Sequence, residues 1–250
     1  MFHNKIFIVC FLYITILGFP IKLFASQLEI DISNNLVSIT SSFIGEKILL
    51  FGTHNHQGNI AIIVEGPKEK LSVRKKNKIA GIWINKNKVI FSDVPAYYAI
   101  ITSAPINNIG TVELRKKYLI GTKTLPIKIY NGKKINNDEI EEFKKALIRN
   151  KIEESLYYES QNSIDLNKKL FRTTINLPSN APEGKYKIKT YIVNKNKILD
   201  FKEKELFLEK VGIEKTIYKF AKEKPALYGL TAILLAIFSG WLAAAFFRRS

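Results

Sequence analysis

The sequence predicts a mainly β protein with one helical insertion and a single membrane-spanning helix near its C-terminal end. Three observations carry that prediction. Short runs rich in β-branched and aromatic residues, punctuated by turn residues, recur between residues 27 and 104 and again between 163 and 210. Between these blocks, residues 137–159 switch to a helical spacing of apolar side chains. Finally, "ALYGLTAILLAIFSGWLAAAFF" (226–247) runs for 22 residues without a charge.

The N-terminal end has the form of a secretory signal. Lys5 supplies a positive charge, and "IFIVCFLYITILGF" (6–19) is an apolar core too short to cross a bilayer comfortably. Pro20 breaks it and Ala25 offers a small residue for cleavage, so residues 1–25 are the expected signal peptide. Cys10, the single cysteine, lies inside that segment without the small preceding residue that lipid attachment requires. The mature chain is therefore expected to carry no disulfide, no thiol nucleophile and no cysteine metal ligand.

Beyond it, "LEIDIS" and "LVSIT" flank an Asn-Asn pair. "KILLFG", "NIAIIVEGP", "LSVRKK", "AGIWIN", "KVIFSDVP" and "YYAIITSAP" follow at the spacing of an antiparallel sandwich. In "AGIWIN", alternation sets Ala80, Ile82 and Ile84 on one face and Gly81 and Trp83 on the other. Asn-Lys-Asn-Lys occurs twice between apolar strand residues, at 85–88 and 194–197, and both copies predict hairpin turns. The echo is either the trace of two similar units or a coincidence of composition.

Residues 105–136 are mixed and support no assignment. The following "NNDEIEEFKKALIRNKIEESLYYES" predicts a helix near 137–159, with Asn136 and Glu139 placed for a capping box. Ile140, Phe143, Leu147, Ile148, Ile152 and Leu156 form its apolar stripe, expected to pack on a sheet edge or sandwich end. "SIDLNKKLFRTTINLP" returns to strands. "GKYKIKTYIV" then alternates, with Tyr186, Ile188 and Ile192 inward and Lys187 and Lys189 outward. The turn-rich "NLPSNAPEGKY" puts Tyr186 just after a corner, a placement found in immunoglobulin-like sandwiches. The expected architecture is thus an immunoglobulin-like antiparallel β-sandwich over 26–224, a transmembrane helix over 225–247 and a short tail at 248–250.

A helix over 226–247 measures about 33 Å, enough to cross the hydrocarbon. Tyr228 and Trp241 supply aromatics, and Arg248 and Arg249 favour a cytoplasmic C-terminus. Lys222 and Lys224 weigh the other way, but a large domain behind a signal peptide is exported largely regardless of such charges. The expected location is the inner membrane, with a single pass and the main domain in the periplasm. Ala232, Ala236, Gly240 and Ala244 recur every four residues, a small-residue strip along which a second helix packs closely. Small residues are also simply common in membrane helices.

The formal net charge is +17, and all but six of the 39 basic residues are lysine. Such a balance follows from lysine-rich coding bias, and in an exported chain it points to anionic lipid or envelope polymers rather than nucleic acid. The densest stretch is "VRKKNK" (73–78). Arg74, Lys75, Lys76 and Lys78, with Trp83 nearby, make a candidate partner or lipid surface, against the plain alternative of a solvated edge strand blunted by lysine.

Chemistry is sparse. In "GTHNHQG", His54 and His56 stand two apart, so on an extended segment both rings face one side, as a metal pair needs. A complete site wants one or two further ligands, with Asp93 or Glu65 the candidates by type; polar loop residues are the plain alternative. Ser72 and Lys75 match Ser-x-x-Lys but lie on a predicted strand, where they do not share a face as that dyad requires. No phosphate loop, nucleophile elbow or dinucleotide fingerprint occurs. No catalytic residue and no cofactor is assigned, and the protein is expected not to be an enzyme.

Taken together, "FGTHNHQGNIAIIVEGP", "RKKNKIAGIWIN", "VPAYYAI", "FKKALIR", "LFRTTINLPSNAPEGKYKI" and "ALYGLTAILLAIFSGWLAAAFFRR" resemble, in order and spacing, a family of single-pass transmembrane proteins from alphaproteobacteria (Alph_Pro_TM). The resemblance covers nearly the whole mature chain. It implies a signal peptide, an exported domain, a C-terminal anchor and a membrane partner, a permease of the sulfite-exporter type being the associated candidate. It transfers no catalytic residues. The resulting expectation is an accessory or scaffolding subunit of an envelope or transporter complex. The alternative is a periplasmic metal- or ligand-binding module using the His54/His56 loop.

Overall fold

Residues 60–64, Ile-Ala-Ile-Ile-Val, are buried without interruption, and so are 98–102. An unbroken apolar run of this kind marks a strand covered on both faces. In this computed structural model, residues 28–79, 81–130 and 136–247 are described, with the backbone alone at 76–79, 82–87, 137 and 213–215. The predicted signal peptide (1–25) and tail (248–250) lie outside the described residues.

Three sheets are built from the strands. The first has the order β1 (Leu28–Ile32), β3 (Gly45–His54), β11 (Leu170–Pro178), β10 (Asp165–Asn167). The second has the order β2 (Leu36–Ile39), β13 (Lys197–Lys210), β12 (Gly184–Asn194), β4 (Asn59–Glu65), β7 (Tyr98–Thr102), β9 (Tyr157–Ser160). Inward residues of both, among them Leu28, Ile48, Leu50, Ile175, Ile62, Tyr186 and Ile188, join one apolar cluster. Tyr186, Ile188 and Ile192 are buried while Lys187 is exposed, as the alternation predicts.

The other face of the second sheet is covered by residues 105–127, the segment without a sequence assignment. They carry helix α1 (Val112–Tyr118), whose first turn is capped by Thr111. Leu114, Ile120 and Leu125 join the core from this side. Tyr98 Oη locks the segment in place, donating to the Leu119 carbonyl at 2.5 Å and accepting from the Gly121 amide at 3.1 Å.

The third sheet, β5 (Lys68–Ile79), β6 (Ile82–Pro95) and β8 (Lys128–Ile129), is a long hairpin with a short added strand. Helix α2 (Asn137–Glu153) lies on it. Phe143 and Leu147 meet Val89, Phe91 and Val94 in a second, smaller core.

Four sequence expectations are corrected. The turn predicted at Asn-Lys-Asn-Lys 85–88 is not there: the chain reverses between the paired Ile79 and Ile82, with Gly81 at φ 86°. Residues 85–88 stay in β6, where pairing slips from Lys75↔Asn87 to Lys76↔Asn85, so Lys86 forms a bulge. Only the second copy is a turn, closed by Asn194↔Lys197 with Lys195 at φ 51°. Glycine tolerates positive φ better than asparagine or lysine, so the reversal settles on Gly81.

The helix predicted near 137–159 ends at Glu153, because Ser155 at φ 59° breaks it and Tyr157–Ser160 pair with β7. Two aromatic β-formers gain a buried strand position there, with Tyr157 Oη donating to the Pro95 carbonyl at 2.6 Å. At the other end Asn136 is the N-cap, but its side chain makes no capping bond, so its half of the predicted box is missing. Lastly, the strands are not wholly antiparallel: β2 joins β13, and β9 joins β7, in parallel.

Candidate functional site

The strands end at Lys210, and two helices follow, α3 (Ile213–Glu223) and α4 (Pro225–Phe247). α4 is the one helix among the described residues long and apolar enough to cross a membrane. None of its residues is buried against the body, so its full length of about 34 Å is free for lipid or for another helix. Its two aliphatic hydroxyls are satisfied within the helix, Thr231 donating to the Tyr228 carbonyl and Ser239 to the Leu235 carbonyl, both side chains remaining compatible with hydrocarbon. Ala232, Ala236, Gly240 and Ala244 all lie on this uninterrupted helix, exposed. Gly229 and Ala243, each seven residues from Ala236, fall close to the same face by helical periodicity and lengthen the strip. Sequence reading named four of these positions and missed those two, which a seven-residue spacing would have added.

Sequence reading also missed α3. Between it and the end of the second sheet lies a crevice of about 740 Å³, lined among others by Ile39, Lys210, Val211, Tyr218, Lys219 and Lys222. The signal was present in "TIYKFAKEK" (216–224): apolar Ile217, Phe220 and Ala221 at helical spacing, with lysines between them.

A family profile described as "Putative transmembrane protein (Alph_Pro_TM)" matches residues 27–249, the body, α3 and α4 together. The chain belongs to this family. No curated protein and no solved structure matches it. As an Alph_Pro_TM protein with one candidate membrane helix among its described residues, it fits a membrane-anchored protein whose remaining described mass is mainly β.

In this Alph_Pro_TM chain the two histidines meet differently from a metal pair. β3 ends at His54 and the backbone bends at His56, so the segment is not extended across both. His54 Nδ1 lies 2.8 Å from the His56 carbonyl, which fixes Nδ1 as the protonated nitrogen. Nε2 is buried beside the Phe171 ring with no hydrogen-bond partner among the described residues. Among the described residues no group of three or more His, Cys, Asp or Glu gathers there, and neither Asp93 nor Glu65 completes a set.

The basic stretch is strand β5, and two of its predicted surface residues are described to the side chain. Arg74 is exposed. Lys75 reaches Glu142 of α2 at 2.8 Å, so part of its charge is already matched within the chain. That ion pair raises the lysine's pKa and lowers the glutamate's, through the hydrogen bond first and Coulomb attraction second. The side chains of Lys76, Lys78 and Trp83 lie outside the described residues; their backbones pair as Lys78↔Trp83 near the hairpin tip.

The most heavily perturbed groups are structural. Tyr97 Oη donates to the Asn176 carbonyl at 2.8 Å, and Tyr158 Oη accepts from the Asn176 amide at 3.1 Å, stitching the first sheet to the second. Burial pushes both phenols above their usual range, and Tyr98, Tyr157 and Tyr186 with them.

Proposed function

We propose that this Alph_Pro_TM protein is a non-enzymatic accessory or scaffolding subunit of an envelope or transporter complex, anchored in the inner membrane with its body in the periplasm. The observation that carries the reading is the free length of α4: a membrane helix with none of its residues buried among the described residues, and with small residues along one face. Its partner in this reading is an integral membrane protein, a permease being the candidate. The predicted signal peptide at 1–25 supports export, and the arginines at 248 and 249 support a cytoplasmic C-terminus.

The body in this reading is an immunoglobulin-like β-sandwich. Two sheets sharing one core support it, as does Tyr186, whose hydroxyl donates 2.7 Å back to the Pro182 carbonyl in the manner of a tyrosine corner. The parallel edge strands and the α2-covered hairpin are additions to that scheme.

Affinity purification of the full chain in mild detergent tests the proposal. The expected result is a co-purifying integral membrane protein in near-stoichiometric amount; recovery of the chain alone counts against it.

One observation favours a second reading, a metal- or ligand-binding module: the buried Nε2 of His54, without a partner among the described residues, on a ring whose Nδ1–H is held by the His56 carbonyl. Equilibrium dialysis of the full chain against Zn²⁺ or Ni²⁺ decides it. Stoichiometric metal lost in His54→Ala supports it, and no bound metal removes it.

A further inference from the structure

α3 and α4 are separated by Lys224 alone. Its φ of −136° and ψ of 62° keep the two helices from merging into one, so the chain turns a corner. The Phe220 and Tyr228 rings close that corner, 6.0 Å apart and nearly perpendicular. The hydrocarbon takes up about 30 Å, nearly all of α4, so Pro225 stands at its edge and α3 in the headgroup layer.

α3 has the two faces such a position requires. Tyr218, Lys219, Lys222 and Glu223 line the crevice beneath the second sheet. Ile217 and Phe220 point to the opposite side of the helix by its periodicity, Ile217 being 48% exposed. The sheet end contributes Lys210, Val211, Thr40 and Ser41 from β13 and the end of β2, with Glu183 beside them. Among the described residues lining it, three lysines face two carboxylates, and the one ion pair between these five, Lys219 to Glu223, is loose at 3.9 Å. The crevice therefore keeps positive charge at headgroup depth, and hydroxyls line it as well.

We propose that this corner binds the headgroup of an anionic phospholipid from the bilayer that α4 enters. Lys210, Lys219 and Lys222 meet the phosphate, and the Ile217–Phe220 side of α3 rests on the acyl chains. The proposal builds on the membrane-anchored reading and adds a lipid preference to it. A headgroup held here fixes the body at a set height and angle above the membrane, which a single helix does not do.

Native mass spectrometry of the full chain tests it, with the chain released from uncharged detergent doped with equal phosphatidylglycerol or phosphatidylcholine. The expected result is at least fivefold greater retention of phosphatidylglycerol. Lys219→Glu with Lys222→Glu abolishes that preference, while Lys187→Glu, on the exposed face of β12, leaves it intact. Lys222→Gln and Lys210→Gln, at a solvent-facing crevice, each weaken the preference severalfold and serve where charge reversal lowers the melting temperature. Equal retention of the two lipids, an unchanged preference in the double variant, or a lipid-free dimer that the double variant dissociates would each overturn the proposal. Alkaline carbonate extraction separates the two readings. A chain that resists extraction but shows no lipid preference has an anchor without this site; a chain that is extracted has no anchor.

Discussion

Lys151 Nζ lies 2.6 Å from Glu69 Oε1, with only 8% of the lysine side chain exposed against 34% of the glutamate. The pair crosses from α2 to β5, and the ammonium also donates to the Ala96 carbonyl at 3.3 Å. Removing one member leaves the other without its counter-charge. Glu69→Gln strands the buried Lys151 ammonium and is expected to cost about 3 kcal/mol, as breaking a buried pair does. Lys151→Ala costs less electrostatically, because the Glu69 carboxylate it leaves behind is open to water. The double change Lys151→Met, Glu69→Leu recovers most of the loss. Chemical denaturation of the protein in detergent, followed by tyrosine fluorescence, checks all three.

Tyr186→Phe removes the hydroxyl that bonds the Pro182 carbonyl and keeps the ring in the core. The expected loss is about 1 kcal/mol, the net value of one such bond, with the fold unchanged by circular dichroism. A loss of several kcal/mol would mean that the corner organises far more than one turn.

The buried phenols predict instability in alkali. Desolvation raises Tyr97, Tyr98, Tyr157 and Tyr186 well above an ordinary phenol, and pushes Tyr191 up to about 12. Ordinary phenols in the unfolded chain ionise near pH 10. The folded state thus holds more protons than the unfolded one above that pH. The stability these groups contribute is complete below pH 10 and falls as pH rises from 10 toward 12, by up to about 1.4 kcal/mol per pH unit for each phenol. In a pH-jump experiment a fraction of the phenolate absorbance near 295 nm appears only at the rate of unfolding.

Gly52 sits where β1, β3 and β11 crowd together. A Cβ there collides with the Glu29 carbonyl and comes within 2.6 Å of the Phe171 ring. Gly52→Ala is expected to destabilise by about 1–3 kcal/mol through overpacking, measured as a lowered denaturation midpoint. Gly240→Ala is the control, since nothing lies within 4 Å of its would-be Cβ.

If the small-residue face of α4 packs on a partner, Ala236→Leu reduces recovery of the co-purifying membrane protein severalfold. Leu234→Ala, on the far side of the helix by periodicity, leaves it unchanged. Densitometry of detergent pull-downs reads both.

Much of the fold was legible because it depends on local pattern. The alternation of Tyr186, Ile188 and Ile192 with lysines specifies one buried and one wet face, and β12 has them as far as Ile188; beyond it Tyr191 and Val193 are buried too, Tyr191 against Tyr118. The apolar length of 226–247 makes a helix of bilayer thickness whatever the body does. The small-residue face is a property of spacing alone. The facing of His54 and His56 was not legible, because equal facing holds only while the chain stays extended, and it bends after His54. The basic stretch showed its charge in sequence but not its match, since Glu142 lies 67 residues from Lys75.

By itself, then, the sequence determined a strand-built body, one helix within it and one apolar helix after it, because burial period and hydrophobic length are written residue by residue. Tertiary structure alone decided that Gly81 turns the hairpin, that Tyr157–Ser160 leave the helix to become a strand, that residues 105–127 cover a sheet and that Lys151 goes inside. Each of those outcomes rests on a partner farther along the chain: the hairpin register on pairs such as Lys68 with Pro95, and the others on Tyr157 with Pro95, Leu119 with Tyr98 and Lys151 with Glu69. Local propensity does not contain such partners, and the free energy of packing them together overrides it.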